Sequence, residues 1–230
     1  MNPRFPEAPL RSRTLRVALA DDHAVVRAGY RRLLELEPDI AVVAEFGDAD
    51  AAYSALTVAS ASSAPAADLL VLDLSMPGRS GLDLLSRLAA RLPELPVLVF
   101  TMHDSAAMLD QCLRAGAAGF VTKSSAPEVL VDAVRRAARG EIALSPDMVA
   151  LASAAARAPG QPPHTRLSSR EFDILQQLIA GRSVEEIAQT LRLSAKTVAN
   201  YQTGIRHTLG VGSAVELLRY AKEQGLIDGY

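Results

Sequence analysis

Five polar side chains stand at the ends of short apolar runs. Asp21 and Asp22 follow VALA, Asp73 follows LLVL, Thr101 follows VLVF, and Lys123 follows GFV and Thr122. Brought together, such groups have a definite chemistry. Carboxylates in a cluster repel one another unless a cation sits among them. An all-oxygen ligand set with positions left for water and phosphate suits Mg²⁺. A carboxylate can also act as a nucleophile and form an aspartyl phosphate. The charge of that group then needs partners, which Lys123 supplies as an ammonium and Thr101 as a hydroxyl. Lys123 is the only lysine before Lys196 in a chain whose other basic residues there are arginine, so a compact point charge is wanted at that position. Taken singly, Asp22 reads as a helix cap, Thr101 as a strand-end residue and Lys123 as a solvated loop charge. The set at four run ends is much harder to obtain by chance.

The elements that must position these groups alternate. Leu69 to Leu72 is apolar without alternation, as in a strand buried on both faces. It stops at Asp73, and Pro77 and Gly78 punctuate the loop beyond. Further strands are expected at Arg16–Ala20, Ile40–Glu45, Val97–Phe100 and Ala118–Val121. Helices are expected after Asp22, as its cap, up to Pro38, then at Asp48–Val58, Gly81–Ala90 and Ser105–Ala115. A last one runs from a Ser125/Glu128 capping box to about Arg139. The first of these helices turns Val26, Gly29, Tyr30, Leu33 and Leu34 inward. Strand then helix, repeated, predicts an α/β fold: a doubly wound parallel sheet with right-handed crossovers. Its strands' carboxyl ends line one edge, where ligands bind in open α/β sheets.

The 230 residues are 49% hydrophobic and 22% charged with a net charge of −2, which gives no whole-chain attraction to nucleic acid or membrane. No secretory signal and no membrane span are expected. The single cysteine, Cys112, excludes a disulfide framework, suits a reducing cytosol, and reads as a small buried helix residue. Residues 1–14 are expected to be a disordered tail, and SASSAPAA a polar loop. Residues 141–166 are a linker that holds a short alanine-rich helix at 145–157 and the Pro/Gly-rich APGQPPHTR.

Beyond the linker the strand signal vanishes. Capping boxes at Ser168/Glu171, Ser183/Glu186 and Ser213/Glu216, an N-cap at Ser194, and Gly181, Gly210 and Gly225 at helix ends define four helices. They lie near 169–180, 184–191, 195–208 and 214–224. The middle two, joined by Arg192-Leu193-Ser194, form a helix-turn-helix. Val198, Tyr201, Ile205 and Leu209 face the core, leaving Lys196, Asn200, Thr203 and His207 as the stripe a DNA major groove would meet. From residue 166 onward there are eight Lys/Arg against seven Asp/Glu, so charge alone does not point to DNA.

The motifs DDHAVVRAGYRRLLE, VLDLSMPGRSGLDLL, LVFTMHD and AGAAGFVTK resemble the receiver domain of bacterial response regulators. LSSREFDILQQLIAGRSVEEIAQTLRLSAKTVANYQTGIRHTLGV resembles the LuxR-type helix-turn-helix. Together they have the layout of the NarL/FixJ class. The resemblance implies a five-stranded receiver of flavodoxin-like order 2-1-3-4-5 at 15–140, with a four-helix DNA-binding domain at 167–230. It implies Asp73 as phosphoacceptor and Mg²⁺ held by Asp21, Asp22, Asp73 and the Ser75 carbonyl. Thr101 and Lys123 would grip the phosphoryl group, and Phe120 would be an aromatic whose rotamer follows phosphorylation. DNA contacts are expected from Arg192, Lys196, Thr197, Ala199, Asn200, Thr203, Arg206 and His207. Many members have lysine and histidine where this chain has Ala199 and Tyr201, which changes the contacts available for reading a target. The resemblance further implies a cytoplasmic, non-enzymatic transcription factor, a sensor histidine kinase as donor, and a homodimer once phosphorylated, dimerising through the last helix. A phosphohydrolase of the haloacid dehalogenase type is the rival reading; it wants a second Asp two residues after the first, where this chain has Ser75.

Overall fold

The computed structural model describes residues 14–60, 67–76, 80–155 and 162–227. Residues 1–13 of the expected tail, nearly all of the SASSAPAA loop, the Pro77–Gly78 turn and linker residues 156–161 lie outside these.

The elements run β1 (Leu15–Ala20), α1 (Ala24–Glu35), β2 (Ile40–Phe46), α2 (Ala49–Ser60), β3 (Leu69–Leu72) and α3 (Gly81–Arg91). They continue β4 (Val97–Thr101), α4 (Ala106–Arg114), β5 (Gly119–Thr122), α5 (Pro127–Ala138), β6 (Ala143–Leu144) and α6 (Pro146–Ala155). A 3-10 turn (Pro163–Arg166) then leads to α7 (Ser169–Ile179), α8 (Val184–Leu191), α9 (Ala195–Leu209) and α10 (Ala214–Glu223). All strand pairs are parallel and the order is β2-β1-β3-β4-β5-β6.

The strands carry side chains alternately to two buried faces. Leu70, Leu72, Val97, Val99 and Phe120 join the core under α2, α3 and α4. Leu69, Val71, Leu98, Phe100 and Val121 join the core under α1 and α5. Each fully buried leucine of β3 contributes about 1.5–3 kcal/mol by leaving water, so the strand that ends at Asp73 is held firmly. The first core does not stop at the sheet. It continues through Leu167 into Phe172, Ile174, Leu175, Ile187, Val198 and Ile205 of the helical domain.

Several expectations are corrected. The sheet has six strands, not five: Ala143 N donates to Ala118 O (3.1 Å) and Ser145 N to Phe120 O (3.1 Å), so β6 pairs with the otherwise open edge of β5. Two residues are too few for a periodicity signal. Ser125 does not cap α5, because its hydroxyl lies against Thr122 Oγ1 (3.0 Å); the helix starts instead from Ala126, with Pro127 supplying a preset φ. Asp22 does not cap α1 either. His23 is the N-cap, without a side-chain bond, and Asp21 Oδ1 accepts from its backbone N–H at 2.8 Å. Gly29, placed on the inner face of α1, is exposed.

In the helical domain, Ser168/Glu171 and Ser183/Glu186 form reciprocal capping boxes. Ser194 caps α9 by accepting from Thr197 N at 3.1 Å. Ser213 caps α10, while Glu216 turns instead to Gly212 N at 2.6 Å. Gly210 closes α9 at φ 69°, a left-handed conformation open to glycine at little cost.

Candidate functional site

Backbone hydrogen bonds fix the strand ends level with one another. Asp73 N donates to Ala20 O (2.8 Å), Asp21 N to Phe46 O (3.0 Å) and Lys123 N to Thr101 O (2.8 Å), while Thr101 and Thr122 are register partners. The functional side chains therefore leave a rigid sheet edge rather than a loop.

There Lys123 Nζ bridges two carboxylates, at 2.6 Å from Asp21 Oδ2 and 2.7 Å from Asp73 Oδ2. All three side chains are nearly buried. Burial alone would lower the Lys123 pKa, but the hydrogen bonds and charges of Asp21 and Asp73 outweigh it and raise it above the ordinary lysine value. The other carboxylate oxygens are occupied locally: Asp73 Oδ1 accepts from Ser75 N (3.2 Å), and Asp21 Oδ1 from His23 N (2.8 Å).

Asp21, Asp22, His23 and Asp73 each place a potential ligand atom within 4.8 Å of the others'. Asp22 Oδ1 is buried and, although 2.9 Å from His23 Nδ1, meets no donor in hydrogen-bonding geometry. An orphaned carboxylate oxygen beside two further carboxylates fits a hard divalent cation, and the oxygen donors fit Mg²⁺ in kind.

Of the remaining expected residues, Thr101 is fully buried and its Oγ1 lies 3.4 Å from His103 N. Phe120 is fully buried in the core under α3 and α4. Ser75 Oγ and His103 Nε2 approach to 3.4 Å at the mouth of the site.

Sequence reasoning missed three neighbours. Arg27 Nη1 holds Asp21 O at 2.5 Å and Nε pairs with Glu45 at 3.3 Å. Tyr30 stacks edge-on against Phe100, 4.6 Å between ring centres, and burial pushes its pKa up. His23 flanks both N-terminal acids. Their signal was the DDHAVVRAGY run itself, where the helix period brings Arg27 and Tyr30 back over the strand end.

The second cluster is the outer face of α9. Lys196, Ala199, Asn200, Thr203 and His207 are exposed together, while Val198, Ile205 and Leu209 are buried. Tyr201 packs inward against the core. The structure separates the other expected contacts from this stripe. Thr197 is engaged in the cap of its own helix, and Arg206 is half-buried, with its Nε lacking a hydrogen-bond partner. Arg192 ends α8 at φ 53° and reaches Asp50 of α2 at 3.5 Å.

Comparison with known proteins follows the same division. Residues 17–135 match the response regulator receiver domain, and residues 165–221 match the luxR family of bacterial regulatory proteins. The transcriptional regulatory protein UhpA of Escherichia coli (strain K12) is 40% identical over 203 residues, 88% of this chain and 95% of that protein. The oxygen regulatory protein NreC of Staphylococcus carnosus is 35% identical over 222 residues, 93% of this chain and all of that one. Among solved structures, RcsB of Salmonella enterica serovar Typhimurium, bound to promoter P1flhDC in the presence of phosphomimetic BeF3-, superposes with a TM-score of 0.68. It is 31% identical and covers 91% of this chain and 99% of its own.

Proposed function

Since this chain belongs to the two-component response regulators that join a receiver to a LuxR-type DNA-binding domain, we propose that Asp73 is its phosphoacceptor and a sensor histidine kinase its donor. The observation that carries this is the Lys123 ammonium shared between Asp21 and Asp73 at the sheet edge. An Asp73 carboxylate oxygen attacks phosphorus, the P–N bond to the donor imidazole breaks, and an acyl phosphate forms while the imidazole leaves with the electron pair. Asp21, Asp22, Asp73 and the Ser75 carbonyl would hold Mg²⁺, which supplies positive charge to the phosphoryl oxygens when bound. Lys123 then exchanges carboxylate for phosphoryl oxygen, and Thr101 offers its hydroxyl. Phe120 is the aromatic whose rotamer follows the modification.

The working layout is a tail at 1–14, receiver at 15–140, linker at 141–166 and DNA-binding domain at 167–230. Lys196, Ala199, Asn200, Thr203 and His207 meet the DNA, with Arg192, Thr197 and Arg206 at the margin. Asn200 is suited to bidentate pairing with adenine. RcsB dimers have been seen on DNA. In this chain Val215 and Leu218 leave an apolar face of α10 exposed, which supports a phosphorylated homodimer. Among the described residues no helix is long and apolar enough to cross a membrane, in keeping with a cytoplasmic protein. Ser75, in place of a second aspartate, favours a regulator over a turnover phosphohydrolase.

The test is labelling with Mg²⁺ and acetyl phosphate. Wild type takes up one phosphoryl group and Asp73→Asn none; equal labelling of the two refutes the assignment. Selection of bound DNA from a random pool, with and without acetyl phosphate, then tests the switch. Identical pools and affinities would leave the receiver as a scaffold only.

A further inference from the structure

The two domains meet along α3 and α7, and one contact there is unlike the rest. Asp173 of α7 is 8% exposed and accepts a hydrogen bond from the Ser80 hydroxyl. The same Ser80 oxygen caps α3 by accepting from Asp83 N at 3.2 Å, which a hydroxyl can do while donating. Ser80 is rigidly linked to the phosphoacceptor strand. The next residue, Gly81, lies so close that a Cβ there would sit 2.5 Å from Asp73 O and 2.5 Å from Leu74 Cα. A cleft of about 530 Å³ is lined by both domains, with Asp22, Ser75 and His103 of the receiver and Asp173, Gln177 and Arg182 of the helical domain among its walls.

Asp173 is buried without a salt bridge among the described residues. The charged and titratable groups that bear on it are Arg170 of its own helix, Asp83 of α3 and the Cys112 thiol of α4.

We propose that Ser80 and Asp173 form a proton-linked latch: the DNA-binding domain seats on the receiver with Asp173 protonated, and the domains separate more readily once that proton is lost. This goes beyond the phosphoacceptor assignment and does not depend on it.

Burial raises the Asp173 carboxyl, the Ser80 hydrogen bond and Arg170 pull it back, Asp83 adds to the rise, and the result is about 7. In the separated domains the same carboxyl faces water and returns to about 4. Closing therefore takes up a proton. The latch is at full strength below pH ~4, weakens as pH rises from there to pH ~7, and is steady above. Between pH 6 and pH 8 the ratio of separated to seated molecules rises about tenfold. His164 sits in the same interface: its carbonyl accepts from Gln111 Nε2 (3.1 Å), its Nδ1 lies 2.9 Å from Tyr220 Oη, and burial lowers its pKa. That shift acts with the opposite sign, so the informative quantity is the difference between wild type and Asp173→Asn.

The experiment is small-angle scattering of the full, unphosphorylated chain at pH 6, 7 and 8, for wild type, Asp173→Asn and Ser80→Ala. Relative to Asp173→Asn, the ratio of extended to compact wild-type molecules should rise about tenfold from pH 6 to pH 8. Ser80→Ala should be more extended throughout. Parallel behaviour of wild type and Asp173→Asn overturns the proposal. Should Asp173→Asn not fold, the ¹³C carboxyl titration of Asp173 in wild type, assigned by its displacement in Ser80→Ala, decides. A midpoint near 7 supports the latch and one near 4 ends it. Neither result bears on whether Asp73 is phosphorylated.

Discussion

Replacing Lys123 with methionine removes the one ammonium between two nearly buried carboxylates while keeping most of the side-chain volume. At 2.6 and 2.7 Å, each contact has a Coulomb attraction of about 6 kcal/mol at an effective dielectric constant of ~20. Desolvation of the three charges offsets most of it. Removing one partner nevertheless costs about 3 kcal/mol or more, because Asp21 and Asp73 are left as unpaired like charges. For a chain of this size that lowers the melting temperature by roughly 6–12 °C. The assay is thermal unfolding of wild type and Lys123→Met in chelator at pH 8, repeated at pH 5 and with millimolar Mg²⁺. Without the ammonium the two carboxylates repel each other, and a proton or a divalent cation between them relieves that repulsion. The variant's deficit should therefore be large at pH 8 and shrink at pH 5, and Mg²⁺ should narrow it as well. Wild type has the opposite liability. The Lys123 pKa is raised, so the stability it confers is complete below the ordinary lysine value and is lost as pH climbs through the raised one. Equal melting of the two proteins at pH 8 in chelator, or a deficit indifferent to both pH and Mg²⁺, would refute this account of the site.

Gly81→Ala should cost about 1–3 kcal/mol and slow labelling of Asp73, since its Cβ meets backbone that cannot rotate away; a variant that melts and labels like wild type shows that the loop yields. Asn200→Ala should cost about 1–3 kcal/mol of operator affinity and relax discrimination at one base pair, read by binding to single-base operator variants. Lys196→Ala should instead weaken binding to all sequences alike and reduce the salt slope by about 1; loss of discrimination in this variant would reverse the two roles.

The sheet-edge residues were legible because burial on both faces leaves strands such as LLVL free of polar residues, so the first polar residue marks the strand end. Once the parallel order is known, four such ends must share an edge, and Asp21, Asp73, Thr101 and Lys123 do. The four C-terminal helices were legible from their caps, since Ser168, Ser183, Ser194 and Ser213 all cap as side-chain chemistry requires. Ser125 misled because the same Ser-x-x-Glu spacing competes with a closer acceptor at Thr122 and with Pro127. The contact between domains was not legible at all. Ser80, Ser86, Gln111, Ser169 and Asp173 are polar residues that a periodicity argument leaves in solvent, yet they pair with one another or with the linker backbone across the interface.

That interface also bears on how a receiver can govern a DNA reader. Lys196, Ala199, Asn200, Thr203 and His207 are exposed with the receiver seated, so seating does not cover the face of α9 proposed to meet DNA. Among the described residues, only Arg192 of the expected DNA contacts is drawn to the receiver, at 3.5 Å from Asp50, and its side chain is 73% exposed. A pair that open is worth at most about 1 kcal/mol, little resistance to a competing phosphate. What seating does restrict is orientation. Phe172 and Leu175 of α7 belong to the same buried core as Leu82 and Leu85 of α3, so α9 and the apolar face of α10 move with the receiver as one body. Control by orientation predicts that Ser80→Ala, which loosens the seat, changes affinity for one half-site by less than about twofold. Affinity for an operator of two half-sites should rise severalfold, because two readers freed to align bind with a higher effective concentration. Titrating full-length protein against one-site and two-site duplexes separates the cases. A large gain on the single half-site would mean that the receiver shields α9 after all.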